Sequence, residues 1–588
     1  VNETGQNERM KRILLILIGL SQCLGGWAQQ ARVRPNVVLI LTDDQGWGDL
    51  SLHGNPHLTT PHLDALARSG AQVERFFVSP LCAPTRASLL TGRYHPRTGT
   101  TSVSGGRERM RTEELTLGEV FKEAGYATGL FGKWHNGEHF PEDPNGQGFD
   151  EFLGFCAGHW NNYFDTELQH NQEKIRTKGF ITDVLTDAAL GFIEKNRSRP
   201  FFCYVPFNAP HSPFQVPDRY FEKYKAKGLD DEVASVYGMV ENVDDNVGRI
   251  LAHLKKLGLA ENTLVVFLTD NGPNGVRFNG DMKGTKGSVD EGGHRVPFFV
   301  LWPGRIAPGT VVKPIAAHVD VLPTLTELCG VPFRPALPID GVSLAGLLLG
   351  KTTTLPERVL FTHNTGHKIE RLMPNAGAVR TSQYRWLLKG NTAELYDLHA
   401  DPSQQTNRTA TRPDVAQTLE TTYRTWFADV TSGVTFGQPL PLAGSRTELA
   451  APEASFGGGV RFWQGNGWAN DYLVDVRNPA DSVSWTVAIA RSGRYRVGVA
   501  YACPEPNADA GLRVRIGAAG VEKKVPPFRA RRIPSPDRVP RKEAYEQTWS
   551  WLPLGTLTLE AGTQRVVLEP VNSPEKLEIK AVRFERIN

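Results

Sequence analysis

The chain reads as an α/β protein with a doubly wound, mostly parallel sheet, followed by a smaller α+β part and then an all-β unit. Three observations carry this reading. Apolar runs of strand length, among them Asn36 to Thr42 and Thr263 to Thr269, lack the alternation of a half-exposed strand and so suit strands buried on both faces. Segments with helical spacing of apolar residues fall between such runs, the order of a parallel α/β domain. Beyond about residue 460 the helical pattern gives way to short alternating strands, which predicts a β-sandwich.

At the start, nine polar residues precede Met10, and from there the pattern is that of a secretory signal. Lys11 and Arg12 lead into an apolar core from Ile13 to Leu20, and Gly26-Trp27-Ala28 offers a small-x-small cleavage site. Residues 1–28 are therefore expected to be leader and signal peptide, with an exported, periplasmic or secreted protein starting near Gln29. The apolar core is too short to span a bilayer, and Gln22 before Cys23 does not suit a lipoprotein site, so no membrane anchor is expected. Six cysteines, widely spaced and without a C-x-x-C pair, make neither a disulfide scaffold nor a thiolate zinc site. Lys plus Arg number 66 against 63 Asp plus Glu, which gives no case for nucleic acid; attraction for an anion has to be local.

The α/β domain is expected over 33–350. Its first strand ends in Asp43-Asp44, and the run 263–269 ends in Asp270-Asn271-Gly272. Ala127 to Phe131 leads into Gly132-Lys133-Trp134-His135, and Phe201 to Phe207 into Asn208-Ala209-Pro210-His211. Helical patterns lie between them at Thr60 to Ser69, Thr116 to Ala124, Thr182 to Asn196 and Asp231 to Leu257. Ligands of open parallel sheets bind outside the carboxyl ends of the strands. Taken singly, an Asp after a strand is a common cap or turn former. Asp43, Asp44, Asp270, Asn271, Lys133, His135 and His211 at four strand ends instead predict one site. The two acidic pairs offer only hard oxygens, suited to calcium or magnesium and not to zinc or copper; calcium is favoured because it needs no strict octahedron.

The stretch Pro80 to Tyr94 organises the rest. Pro84 suits the first turn of a helix and Gly92 its end. Cys82 then sits at a helix N-terminus, where free N–H groups favour an anion, and Arg86 adds a positive charge one turn on. A lone cysteine there is most often a buried structural residue. Cys82-Ala83-Pro84-Thr85-Arg86, with the Leu-Leu-Thr-Gly-Arg that follows, resembles the C-x-P-x-R motif of type I sulfatases, of the alkaline phosphatase superfamily, at the cysteine converted to formylglycine. Gly132-Lys-Trp-His135, Ala209-Pro-His-Ser-Pro213 and the segment Gly284 to Pro297 are similar to further family segments, and the likeness runs to about residue 440.

The resemblance implies hydrolysis of a sulfate monoester, on a sulfated saccharide, by an enzyme that a formylglycine-generating enzyme must first modify. It implies that Cys82, as formylglycine, is nucleophile and metal ligand beside Asp43, Asp44, Asp270 and Asn271. Arg86 would stabilise the hydrated aldehyde and Lys133 would anchor it and the sulfate. His135 would be the base that drives sulfate out. His211 would protonate the leaving oxygen, helped by Lys286, which is preferred to Lys283 for its offset from Glu291. A thiol would leave an S-sulfated enzyme with no easy exit, whereas a hydrated aldehyde has a second hydroxyl whose deprotonation expels sulfate. Asn136 stands where the family often has Leu. Two other readings stay open: a phosphomonoester or phosphonate-ester hydrolase of the same superfamily, and a glycan-binding protein with an idle catalytic domain.

Residues 351–440 resemble the smaller carboxy-terminal part of that fold, with strands around Ala378 to Leu388 and Glu394 to Leu398 and a helix from Val415 to Asp429. Pro, Gly and Ala then dominate, and 441–459 is expected to be a linker. The unit 460–588 looks like a galactose-binding-like jelly roll of the carbohydrate-binding type, with strands such as Tyr495 to Tyr501 and Leu577 to Phe584. Trp463, Trp468, Tyr472, Trp549 and Trp551 suit either sugar stacking or a core. The basic stretch Arg529 to Lys542 suits contact with an anionic glycan, but a solvated loop is the expected default. Specificity is expected in loops, including Phe155 to Gln172 and Thr362 to Asn375.

Overall fold

The computed structural model describes residues 34–366, 371–478, 480–507, 509–572 and 574–587. The signal-peptide expectation, and residues 367–370 of the second specificity loop, lie outside the described residues.

A ten-stranded mixed sheet forms the centre. Five neighbouring strands run parallel in the order Thr263–Thr269, Asn36–Thr42, Phe201–Pro206, Ala127–Lys133, Glu151–Phe155. Asn36–Thr42 is buried at every position. Val37, Leu39 and Leu41 face one core with Leu89 and Leu90 of helix Cys82–Thr91 and Phe121 of helix Leu117–Glu123. Val38 and Ile40 face the other, with Leu185 of helix Ile181–Lys195 and Val240 of helix Asp231–Lys256. Both faces are therefore dry, which is why the strand reads as one apolar run, and each such side chain contributes roughly 1.5–3 kcal/mol of transfer free energy.

The helices begin where the residues that suit a start occur. Thr116 accepts from the backbone N–H of Glu119, whose carboxylate accepts from Thr116 N–H in return, a capping box. Helix Cys82–Thr91 ends at Gly92 with φ of 69°, a left-handed stop. The sheet is less uniform than a doubly wound expectation: Phe298–Leu301 runs antiparallel to Thr263–Thr269. Its four residues are too few to reveal direction in the sequence.

A four-stranded antiparallel sheet of Leu360–His363, Ala376–Arg380, Tyr384–Lys389 and Thr392–Asp397 follows. Helix Pro413–Thr431 lays Tyr423, Trp426 and Phe427 against Val379, Trp386 and Tyr94, which fastens this sheet to the larger one.

The C-terminal part comprises two six-stranded sheets sharing one core of Trp485, Tyr495, Val499, Leu512, Val566 and Phe584, among others. One expectation needs correction here, and a second a qualification. Residues 441–459 are not a linker: Leu440–Leu442 and Ser455–Phe456 pair with Val483–Ile489 of one sheet, and Arg446–Ala450 pairs with Glu578–Ile587 of the other. Alternating Leu440, Leu442, Leu449 and Ala451 face the core, and the Pro and Gly around them masked that period. The basic stretch is solvated over much of its length, with Arg529, Arg531 and Arg532 exposed, but its end is anchored: the Arg541 side chain is 2% exposed, paired with Asp537, and donates to the Asn161 carbonyl at 2.6 Å. Of the aromatics, Tyr472 is buried and Trp463 is half exposed.

Among the described residues no helix is long and apolar enough to cross a membrane. Cys82, Cys156, Cys203, Cys329 and Cys503 are free and buried.

Candidate active site

The four strand ends converge as their spelling implies. Sγ of Cys82 and carboxylate oxygens of Asp43 and Asp270 all lie within 4.8 Å of one another, as do oxygens of Asp43 and Asp44 and a ring nitrogen of His211. Arg86, fully buried one turn along the helix from Cys82, donates from Nη2 and Nε to Asp270 Oδ2 at 2.8 and 3.1 Å and from Nη1 to the Lys133 carbonyl at 2.7 Å. Lys133 Nζ meets Asp43 Oδ2 at 2.6 Å. Lys286 Nζ meets Asp44 Oδ1 at 2.6 Å, and Asn271 Nδ2 donates to the same oxygen at 2.8 Å. Lys283 instead points outward to Glu394.

Both histidines have their proton positions set by the backbone. His135 Nε2 donates to the Val103 carbonyl at 2.9 Å, so its buried Nδ1 carries the lone pair and has no partner among the described residues. His211 Nδ1 lies 2.7 Å from the Ser212 carbonyl, which turns Nε2 toward Asp44 Oδ2 at 3.7 Å. Asp44 and His135 hold positive φ of 65° and 64°, a conformation strained for residues other than glycine.

The charges are strongly coupled. Burial alone would raise Asp43, but Lys133, His211, Arg86 and Lys286 outweigh it and hold the carboxyl far below its usual range. Burial and the neighbouring Asp43 push Asp270 up to about 7 despite Arg86. Burial, with Lys133, drives His135 well below the usual imidazole range, so the ring is neutral. Burial would lower Lys286, yet Asp44 prevails and keeps it charged. Burial also raises the Cys82 thiol, which stays protonated and is a poor nucleophile as it stands.

Comparison with known proteins bears directly on this arrangement. Residues 35–331 match the sulfatase family profile, and 285–424 match that of the N-sulphoglucosamine sulphohydrolase C-terminal region. Human arylsulfatase A is 32% identical over 474 residues, spanning 68% of this chain and 89% of the relative. The chain belongs to the type I sulfatases, of the alkaline phosphatase superfamily. Mouse N-acetylgalactosamine-6-sulfatase is 33% identical over 58% of this sulfatase and 70% of its own length. A crystal structure of Ps i-CgsB in complex with k-i-k-neocarrahexaose superposes at TM-score 0.63 and 28% identity, covering 69% of this chain and 95% of that one. With relatives named arylsulfatase, N-acetylgalactosamine-6-sulfatase and steryl-sulfatase, this sulfatase is a sulfuric ester hydrolase.

Three buried oxygens of the sulfatase site, Asp43 Oδ1, Asp44 Oδ2 and Asn271 Oδ1, have no hydrogen-bond partner among the described residues. Leaving such acceptors dry is costly, and a hard divalent cation is the natural group to satisfy them. The donor set thus fits a metal. Three carboxylates here face Arg86, Lys133 and Lys286, a balance that leaves little net pull on an anion until such a cation is added.

Sequence reading missed two features. Asn136 donates to the carbonyls of Ala83 and Glu108 at 3.1 and 3.3 Å, so it ties down the first turn of the Cys82 helix, a role its neighbours in sequence do not disclose. The Ser212 hydroxyl donates at 2.6 Å to Glu543, over three hundred residues away in the C-terminal β unit; no local signal could have found that pairing.

Proposed function

We propose that this sulfatase hydrolyses sulfate esters on a carbohydrate, using a formylglycine made from Cys82 by a formylglycine-generating enzyme and a calcium ion held by Asp43, Asp44, residue 82, Asp270 and Asn271. The observation that carries the reading is the set of orphaned oxygens grouped around a cysteine at a helix N-terminus. Calcium is preferred to magnesium because carboxylate and amide oxygens can surround it irregularly. When bound, the ion would supply Lewis-acid stabilisation of the sulfate oxygens. A formylglycine hydrate at residue 82 would supply the attacking hydroxyl that a buried, protonated thiol cannot.

The chain's own residues do the remainder. Lys133 and Lys286, each held against a carboxylate at 2.6 Å, present fixed positive charge to the sulfate. Arg86, locked by three hydrogen bonds, holds positive charge beside residue 82. His135, neutral with its lone pair on Nδ1, is equipped to take a proton. His211, with Nε2 aimed past Asp44, can donate one to the leaving oxygen once charged; burial holds the ring below its ordinary range against the pull of Asp44, so this proton has to arrive with the substrate.

That relatives are named for N-acetylgalactosamine 6-sulfate and that the structural neighbour binds a neocarrahexaose supports a saccharide substrate. We read 33–350 as the catalytic domain, 351–440 as its smaller partner, and the C-terminal unit, reaching back to Leu440, as a jelly roll; export follows from the signal-like leader. Mass spectrometry of the Cys82 peptide, alongside sulfate release from nitrophenyl sulfate and a sulfated saccharide panel, tests the proposal. Conversion of the thiol to an aldehyde with calcium-dependent release is expected; an unmodified Cys82 in fully active protein would overturn it.

A further inference from the structure

One segment of the C-terminal β unit, 535–546, fastens to the catalytic unit beside His211. Gln215 Nε2 donates to Asp537 and Ser535 at 2.7 and 2.8 Å, Arg541 to the Asn161 carbonyl at 2.6 Å, Asn162 to Glu546 at 2.7 Å, and Ser212 to Glu543 at 2.6 Å. These catalytic-side partners sit on 212–215, which follows His211, and on 161–162, next to Tyr163, whose hydroxyl donates to the His211 carbonyl at 2.9 Å. Between the two units lies a cleft of about 450 Å³, within the range of small-ligand sites. Its lining includes Val103 and Gly158, which pack against the Nε2 side of the His135 ring, and Trp549 and Trp551 of the β unit.

Its lining is chemically specific. Glu108 Oε2, Asn161 Oδ1 and Asn470 Nδ2 are buried there without hydrogen-bond partners among the described residues, and Glu108 as a whole is only 9% exposed. Two acceptors and a donor beside the half-buried indole of Trp549 are what a sugar ring, with its hydroxyls and its apolar face, would satisfy; the Trp551 ring is stacked by the Arg583 guanidinium. Seven lining residues are carboxylates, against Lys174, Lys580 and Arg446 and a His139 already committed to Glu453. Lys174 and Arg446 are in turn paired with Glu448. A sulfated ring would have to enter an excess of negative charge.

We propose that this cleft is a subsite for an unsulfated sugar, so that the enzyme acts on sparsely sulfated saccharides whose ring next to the reacting ester carries no sulfate. The proposal rests on the carbohydrate-sulfatase reading above. Burial, ahead of neighbouring carboxylates, pushes Glu138 and Glu108 each up to about 7, so the negative excess of the lining is fullest above that pH.

The test compares disaccharides sulfated on one ring with their counterparts sulfated on both, using the full-length, formylglycine-bearing protein. The singly sulfated member should be preferred by about tenfold or more in kcat/KM. Glu138→Gln should narrow that preference, and Trp549→Ala should cost the disaccharide about tenfold more than it costs nitrophenyl sulfate. Calorimetry with the unsulfated parent disaccharide should show binding that Trp549→Ala abolishes. Equal turnover of both members, or no binding of the unsulfated disaccharide, overturns the subsite. If no saccharide releases sulfate while the unsulfated disaccharide still binds, the subsite stands and the carbohydrate-sulfatase reading falls.

Discussion

At the scale of single residues, the site is a charge balance held in a dry place. Removing one member leaves its partner uncompensated, so losses should exceed those of a surface pair. Lys133→Ala frees Asp43 and removes the positive group proposed to face the sulfate; kcat for nitrophenyl sulfate should fall on the order of a hundred- to a thousand-fold, read by steady-state kinetics. Asn271→Ala removes both an orphaned amide oxygen and the hydrogen bond to Asp44. The calcium concentration for half-maximal activity should rise about tenfold or more while activity at saturating calcium partly returns. Failure of added calcium to rescue this variant would remove Asn271 from the ligand set. These residues were legible in the sequence because each stands at the end of an apolar run. The tautomers of His135 and His211 were not, since they depend on the carbonyls of Val103 and Ser212, which no side-chain pattern encodes.

At the scale of elements, the strands are spaced by glycines that admit a neighbour's backbone. A Cβ on Gly132 would stand 1.9 Å from the Pro206 carbonyl oxygen, and its φ of 148° already disfavours a side chain. Gly132 immediately precedes Lys133, so Gly132→Ala should push strand Ala127–Lys133 away from Phe201–Pro206. Lower melting temperature and lost activity are expected together, checked by calorimetry and turnover; a wild-type melting temperature would show that the sheet yields freely. The buried parallel strands and long helices were readable because their periods are strong and their ends capped. Phe298–Leu301 and the strands within 440–456 escaped, being short and set among prolines and glycines whose composition usually signals a loop.

At the scale of the whole molecule, two units meet through polar contacts, among them His139 Nε2 with Glu453 Oε1 at 2.9 Å, both side chains 7% exposed. Burial would lower His139, but Glu453 prevails and lifts it to about 9, above its ordinary 6.5. A raised histidine contributes stability that is complete below about 6.5 and is lost as pH rises through about 9. Hydrogen exchange across the interface should therefore accelerate between these limits, and His139→Gln should flatten the response; an unchanged profile in that variant would assign the effect elsewhere. The pairing joins residues over three hundred positions apart, which is why only the folded chain discloses it.

The weaving of residues 440–456 into both C-terminal sheets also governs how the protein can be taken apart. A cut in the proline- and glycine-rich stretch, where composition invites one, would strip an outer ribbon from each layer and expose Trp485 and Phe584 beneath. Module exchange with other enzymes would have to carry that ribbon along, and its natural seam lies upstream, between Thr431 and Leu440.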